Sequence, residues 1–455
     1  MSAPPPAGTA APGGRGLWWL SPAGLLGALI PTTVLLTALL DDGVFRLQYR
    51  TPKSVTAETL LLVAVACLVL AGAATMVAAL VRRGGTPLLP EQGVRPQLRS
   101  AARVLFWATI VGYVAFYVAG FVRGLRPAQV LEILISQDNY GVSLRDYFGG
   151  VPGLTTLTQC GIAFVVVATY VLRRERDPRL VAQVVVVLLL TLLRSYVNNE
   201  RLALIEVAIP AIVVLAMAAR NDRRRSRRVA ARFGPLALAP LLFLLFAVFE
   251  YSRSWQYFES RTDLSFLEFM VVRFAGYYAT AYNNGQLQLL HADFPGRLPR
   301  DSLQAFWEAP VIAQLGLYDR LSAPVPTAAD RILEQFGNPE FNNPGGITTP
   351  FLDFGPVGGF LFMALLGAVL GLLYRRFVDG EVIGALLYPV AFTGLLDLPR
   401  YLYWTQGRVT PALAGLLAVA YVIVRAERRE RTRLAADRRR SRGHQVAASA
   451  AGSPG

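Results

Sequence analysis

Thr59-Leu-Leu-Leu-Val-Ala-Val-Ala-Cys-Leu-Val-Leu-Ala-Gly-Ala-Ala-Thr-Met-Val-Ala-Ala-Leu-Val81 carries no charge from end to end and is closed by Arg82-Arg83. A helix rises about 1.5 Å per residue, so a bilayer core of about 30 Å is crossed by about 20 such residues. This stretch is long enough, and its pattern recurs. Candidate spans lie at roughly 17–40, 58–81, 104–122, 154–172, 180–196, 202–219, 233–251, 351–374, 382–398 and 410–424. The expected fold is therefore an all-α integral membrane protein of about ten transmembrane helices. Only 16% of the 455 residues are charged and 54% are apolar. That excludes a soluble globular enzyme, a disulfide scaffold and a disordered chain.

The chain divides accordingly. Residues 1–16 are Pro-, Ala- and Gly-rich and read as a disordered cytoplasmic tail, with no signal-peptide pattern. Residues 17–251 hold spans one to seven, 252–350 form a long external loop, 351–424 hold spans eight to ten, and 425–455 are a basic cytoplasmic tail. With the N-terminus in the cytoplasm, 28 of the 45 basic residues fall in cytoplasmic segments and 10 in the short external loops. Lys and Arg are retained on the cytoplasmic side, so this orientation is favoured and both termini are cytoplasmic. Clusters such as Arg223-Arg224-Arg225 then read as anchors beside anionic lipid, and the net charge of +15 does not call for a nucleic-acid partner. Cys67 and Cys160 sit inside apolar blocks and read as small apolar side chains. With two histidines, His291 and His444, and no carboxylate or cysteine cluster facing them, a metal site is unsupported.

A loop of about 100 residues is too long to be a mere connector. It opens with a candidate interfacial helix, 263–284, lying on the membrane. Helical spacing from Arg273 reaches Tyr277, Thr280 and Asn284, one polar-capable face beside Tyr278 and Tyr282. Arginine presents a fork that fits phosphate, and aromatic rings fit a sugar; the same pattern also fits a snorkelling Arg in an aromatic belt. The Pro-rich stretch 291–346 is expected to carry short helices. The loop ends in Asn342-Asn-Pro-Gly-Gly-Ile-Thr-Thr-Pro-Phe-Leu-Asp-Phe-Gly-Pro-Val-Gly-Gly359. So many glycines and prolines at a span entrance permit irregular backbone, tolerated at membrane depth only against protein or a cavity. Thr348, Thr349 and Asp353 would stand at that mouth, although Thr or Asp before a helix is also an ordinary cap.

Ionisable residues gather at the external ends of other spans. Arg194 and Arg201 bracket the turn between spans five and six, with Glu200 between them and Glu206 a turn into span six. Asp397 and Arg400 close span nine, followed by Arg408. Such groups are expensive in a membrane and face a polar interior or a substrate.

In this order and spacing, three motifs resemble the oligosaccharide repeat-unit polymerases (O-antigen polymerase, Wzy-type), multi-span bacterial enzymes of the GT-C-like class. They are Asn198-Asn-Glu-Arg-Leu-Ala-Leu-Ile205, Arg273-Phe-Ala-Gly-Tyr-Tyr278 followed by Asn283-Asn284, and the Gly346-to-Gly359 entrance. The resemblance covers roughly residues 100–425. It departs from members with Arg-x10-Gly in two external loops, because no external arginine here has glycine eleven residues on. The resemblance implies a glycosyltransferase of the inner membrane that moves a growing glycan from one polyprenyl (undecaprenyl) diphosphate to a second lipid-linked unit, at the outer face. No nucleotide sugar and no cofactor are implied; a chain-length regulator and a flippase are the implied partners, beside the lipid bilayer. Carried over, Arg201 and Arg273 become the catalytic candidates that hold the diphosphate. Arg194, Glu200, Tyr277, Asn284, Thr348, Asp353 and Arg400 become substrate-binding candidates. Glu200, Asp263 and Asp353 stay open as the base. An O-antigen-ligase-type transferase is the nearest alternative; a transporter would show repeated halves, and a membrane acyltransferase would want a histidine.

Overall fold

The structure is a computed structural model. It describes residues 16–82, 84–90, 93–124, 126, 148, 151, 153–197, 202–251, 255, 258–262, 264–292, 298–322 and 329–451. The fold is all-helical and multi-pass. Among the described residues there is no strand, only an isolated bridge between Pro87 and Glu381.

Among the described residues, eight helices are long and apolar enough to cross a membrane. In chain order the long elements are α1 (Pro22–Leu39), the short α2 (Asp42–Tyr49), α3 (Ala57–Leu80), α4 (Pro96–Val122), α5 (Cys160–Leu172, entered through the 3-10 turn Thr155–Gln159), α6 (Pro178–Val197), α7 (Leu202–Ala219), α8 (Arg225–Glu250) and α9 (Phe266–His291). Four short helices follow: α10 (Gln304–Trp307), α11 (Pro310–Gln314), α12 (Leu317–Leu321) and α13 (Ala329–Phe336). The chain closes with α14 (Thr349–Val378), α15 (Val382–Asp397) and α16 (Thr410–Ala451). α8 bends by 43° between Ala237 and Ala239, where Pro235 and Pro240 each remove a backbone donor. Counted with this bent helix and the shorter α15, the segments match the ten expected spans in order.

α5 and α15 form the interior. Every residue of α15 from Gly384 to Leu395 is buried, against α14, α7, α16, α1 and α5. α3 and α14 form the closest outer pair. Gly367 and Gly371 lie one turn apart on α14 and leave no room for a β-carbon against the backbone of Leu70 and Ala74, so the two helices approach through their smallest residues. At about 1.5 Å per residue, the 16 residues of α15 cover about 24 Å, short of a bilayer core. Its C-terminal end is enclosed by protein, with Leu395 and Asp397 both buried.

Contacts between connections sort the bundle into two ends. One end is basic: Arg95 pairs with Glu427 at 2.9 Å, Arg99 with Glu175, and Arg220 donates to the Val378 carbonyl at 3.0 Å. The opposite end carries α2, α9 to α13 and the loop Leu398–Val409. These are the two sets of connections that alternation separates.

α9 differs from the expected membrane-lying helix. It starts at Phe266, where the Ser265 hydroxyl accepts from the Glu268 amide and the Glu268 carboxylate accepts from Ser265, and it runs to His291. Residues Ala279 to Gln288 are all buried. The physical reason is polar: Asn283, Asn284 and Gln288 bond to loops on either side and Gln286 accepts from Thr59 of α3, which draws this half of the helix inside the protein instead of along a surface.

Candidate functional site

Site geometry begins where α15 stops. The Asp397 carbonyl accepts from the amides of Arg400 and Tyr401 at 2.8 and 2.9 Å, a tight turn that folds the Arg400 side chain back. Its guanidinium donates to Asp397 Oδ1 and to Asn343 Oδ1, both at 3.0 Å. It also stacks on Tyr277 at 5.1 Å and on Tyr401 at 5.6 Å. Burial works against the Arg400 charge, but Asp397 and the neighbouring phenols outweigh it and push its pKa above the ordinary value.

Further along the same loop, Arg408 donates to Glu206 Oε1 at 3.0 Å. Glu206 comes from α7 and is 1% exposed. The Tyr403 ring is wholly buried beside it, and burial first, then the Glu206 charge, raises the phenol's pKa far above its ordinary value. Arg194 of α6 lies within electrostatic reach of Glu206. It donates to Thr158 Oγ1 at 2.7 Å and stacks over Phe116 at 5.6 Å. Three arginines thus surround two carboxylates, Glu206 and Asp397, which also feel one another.

This region is under-satisfied. Glu206 Oε2, Asp397 Oδ2, Arg194 Nε, Arg400 Nε, Ser195 Oγ, Thr393 Oγ1 and Gln406 Oε1 are buried with no hydrogen-bond partner among the described residues. A buried polar atom left unpaired costs about 1–3 kcal/mol. These atoms come from the loop and from three helices around it, and each calls for a further polar partner, water or ligand.

The Asn342–Thr348 segment positions Asn343 for this network. Asn284 Nδ2 donates to the carbonyls of Phe341 and Asn343, at 2.5 and 2.9 Å, and Gln288 Nε2 to that of Pro344 at 2.8 Å. Gly345 donates its amide to the Arg400 carbonyl at 3.0 Å, at a φ of 86° that favours glycine. Thr348 Oγ1 donates to the Gly345 carbonyl at 2.9 Å.

A solvent hollow of ≈ 490 Å³ is lined in part by the Tyr401–Gln406 turn. α10 to α12 form its roof, and Tyr401, Leu402, Thr405 and Gln406 form its floor. Trp307 and Tyr318 meet edge to face at 5.2 Å in the roof, and Arg300 stacks on Tyr318 at 5.7 Å. Thr405 Oγ1 donates to the Asp301 carbonyl at 3.0 Å, tying floor to roof.

The expected site residues separate into groups. Arg400 and Tyr277 meet directly, and Arg194 joins them through Glu206 and Asp397. Asn284 and Thr348 are scaffold for the Asn343 loop, their polar atoms spent on its backbone. Asp353 is a cap, but of another segment: its carboxylate accepts from the amides of Arg300, Asp301 and Ser302 at 2.8, 3.4 and 2.5 Å, which anchors the roof. Arg273 is 4% exposed. It bonds Glu250 at 3.4 Å and Glu340 at 3.1 Å, among the rings of Phe258, Phe269 and Phe341. Its charge is already matched by carboxylates from two other elements. Arg201, Glu200 and Asp263 lie outside the described residues. His291 stacks flat on Phe336 at 3.7 Å. Among the described residues, no three of His, Cys, Asp and Glu converge as a metal set.

Glu206, Asp397 and Arg408 stood out in the sequence as ionisable residues at span ends but received no role there. Asn343 and Tyr403 also received no role, and Gln406 was missed. Glu206 had a usable signal, since a carboxylate within a span is by default functional; the others depend on where a loop folds.

Helices, spans and site together define a multi-pass, all-α membrane protein with a buried arginine–carboxylate centre at one end. No family model, curated protein or solved structure matches the chain.

Proposed function

We propose that this protein is a polymerase that joins polyprenyl-diphosphate-linked oligosaccharide repeat units at the outer face of the bacterial cytoplasmic membrane. The observation that carries the reading is the Leu398–Val409 loop, which contributes Arg400 and Arg408 to the arginine–carboxylate centre and Tyr401, Leu402, Thr405 and Gln406 to the polar, aromatic hollow. A lipid-diphosphate-linked glycan needs both at once: cations at the diphosphate, and rings with hydrogen-bonding groups at the sugar. The basic end of the bundle supports the orientation, because basic residues stay in the cytoplasm; the centre then faces outward and both termini inward.

In this reaction the acceptor hydroxyl oxygen attacks the anomeric carbon of the donor. The bond from that carbon to the diphosphate oxygen breaks, and the diphosphate leaves on its lipid. Arg400 and Arg408, with Arg194 behind them, stabilise the charge that develops on the leaving group. A carboxylate takes the acceptor proton. Among the described residues, Asp397 Oδ2 is buried without a hydrogen bond and Glu206 has the Tyr403 phenol beside its second oxygen, so both suit this step better than Asp353, whose oxygens are spent on three amides. All three arginines are paired with carboxylates, but the side chains of Arg400 and Arg408 are 21% and 32% exposed against 5% for Arg273, which favours the first two for the diphosphate.

The test is glycan electrophoresis of cells that carry Glu206→Gln or Arg400→Ala. Both proteins should insert at normal abundance while polymer falls by about 10²-fold or more, the scale of losing a charge-stabilising or proton-accepting group. Polymer of unchanged amount and length from both variants overturns the reading.

A further inference from the structure

The hollow and the centre behind it differ in charge. Arg300 is the one cation among the hollow's described lining residues, and Asp301, Glu308 and Asp319 are its anions. Arg300 is stacked on Tyr318 and so is held to the wall. Ionised carboxylates only accept hydrogen bonds. They suit a ligand rich in O–H or N–H donors and repel one that carries carboxylates of its own. The remaining polar lining, Gln304, Asn342 and Gln406, both donates and accepts, and Gln406 Oε1 is buried without a partner among the described residues. Trp307, Tyr318 and Tyr401 supply flat apolar faces. The C–H face of a pyranose ring packs on such surfaces while its hydroxyls reach the acids and amides at the edge. A volume of ≈ 490 Å³ lies within the range of about 300–1,000 Å³ typical of small-ligand pockets, room for a di- or trisaccharide.

We propose that this hollow is a glycan subsite selective for neutral or amino-bearing sugars, and that it excludes uronic-acid sugars. The inference rests on the polymerase reading for its place in the reaction and narrows the repeat unit to one without carboxylates at this subsite. It also separates the substrate's two ends. A diphosphate is repelled from the acidic hollow and drawn to Arg400 and Arg408, so the donor or acceptor glycan enters with its sugars toward α10–α12.

The test uses the purified full chain in lipid nanodiscs, titrated with tetrasaccharides by calorimetry and tryptophan fluorescence. The probes are chitotetraose, cellotetraose, maltotetraose, the fully deacetylated chitosan tetramer and tetragalacturonate. At least one neutral or ammonium tetramer is expected to bind saturably, about 10-fold or more tighter than tetragalacturonate, the size of effect that like-charge placement produces. Trp307→Ala should weaken that binding about 10-fold. The exposed Asp319→Asn, combined with Glu308→Gln, should narrow the gap to tetragalacturonate without disturbing the fold. Equal or tighter binding of tetragalacturonate, no binding by any probe, or binding unaffected by both sets of variants overturns the proposal. Sugar binding is read without turnover. Loss of the polymerase reading, through intact polymer in Glu206→Gln, leaves this result standing, and the reverse also holds.

Discussion

Arg273 and Arg400 are the same residue type near the same end of the bundle, yet their surroundings set different roles. Arg273 sits between Glu250 and Glu340 within a cage of three rings. Removing one member of a buried ion pair leaves the other charge stranded, at a cost of roughly 3–5 kcal/mol. Arg273→Ala should therefore lower the thermal unfolding midpoint of the detergent-solubilised protein sharply, and an unchanged midpoint would contradict the clamp. Arg400 instead keeps Nε without a hydrogen bond among the described residues, and its neighbour Tyr401 lines the hollow. Arg400→Lys should retain charge and insertion but lose polymer, because a point charge cannot replace a planar fork shared between Asp397, Asn343 and a phosphate; glycan gels beside a stability scan separate the two effects. The sequence revealed the arginines, since charge at a span end is conspicuous. It did not reveal their partners: Glu340 lies 67 residues from Arg273 and Asn343 57 from Arg400, and only the folded loop brings them together.

The span entrance shows what was legible at the level of elements. Glycine and proline in Gly346-to-Gly359 pointed to irregular backbone, and α14 does break there. Gly355 has φ 71° and ψ −178° inside the helix, followed by Pro356. That conformation is nearly glycine-only and costs other residues about 1–3 kcal/mol. Gly355→Ala should reduce thermal stability by that order and loosen the Asp353 cap two residues before it; a midpoint equal to that of the parent protein would argue against the break. Asp353→Ala removes the acceptor for three roof amides. It should raise hydrogen exchange in α10–α12 while leaving α15 protected, which mass spectrometry can resolve. The long buried half of α9 was not legible. Hydropathy marks apolar stretches, and the ten residues to Gln288 are enclosed because of their amides, not in spite of them.

Across the whole molecule, charge asymmetry gave the order of the connections, and contacts at the two ends follow that order. Cys67 and Cys160 are both buried, so single cysteines can be added to the native background. A thiol at Gly316 should react with a membrane-impermeant maleimide in intact cells, and one at Gly380 only after lysis. The opposite pattern would invert the proposed orientation and remove the outward-facing centre.

The brevity of α15 has a chemical outcome. Where that helix stops, Asp397 and Arg400 meet Asn343, and Glu206 and Arg408 pair close by, all enclosed by neighbouring elements. On the proposed reading, enclosure of these groups strengthens the attraction between guanidinium and phosphate. A sugar hydroxyl would then meet little competition from solvent for the activated glycan, which would pass to another chain and not be squandered as free saccharide.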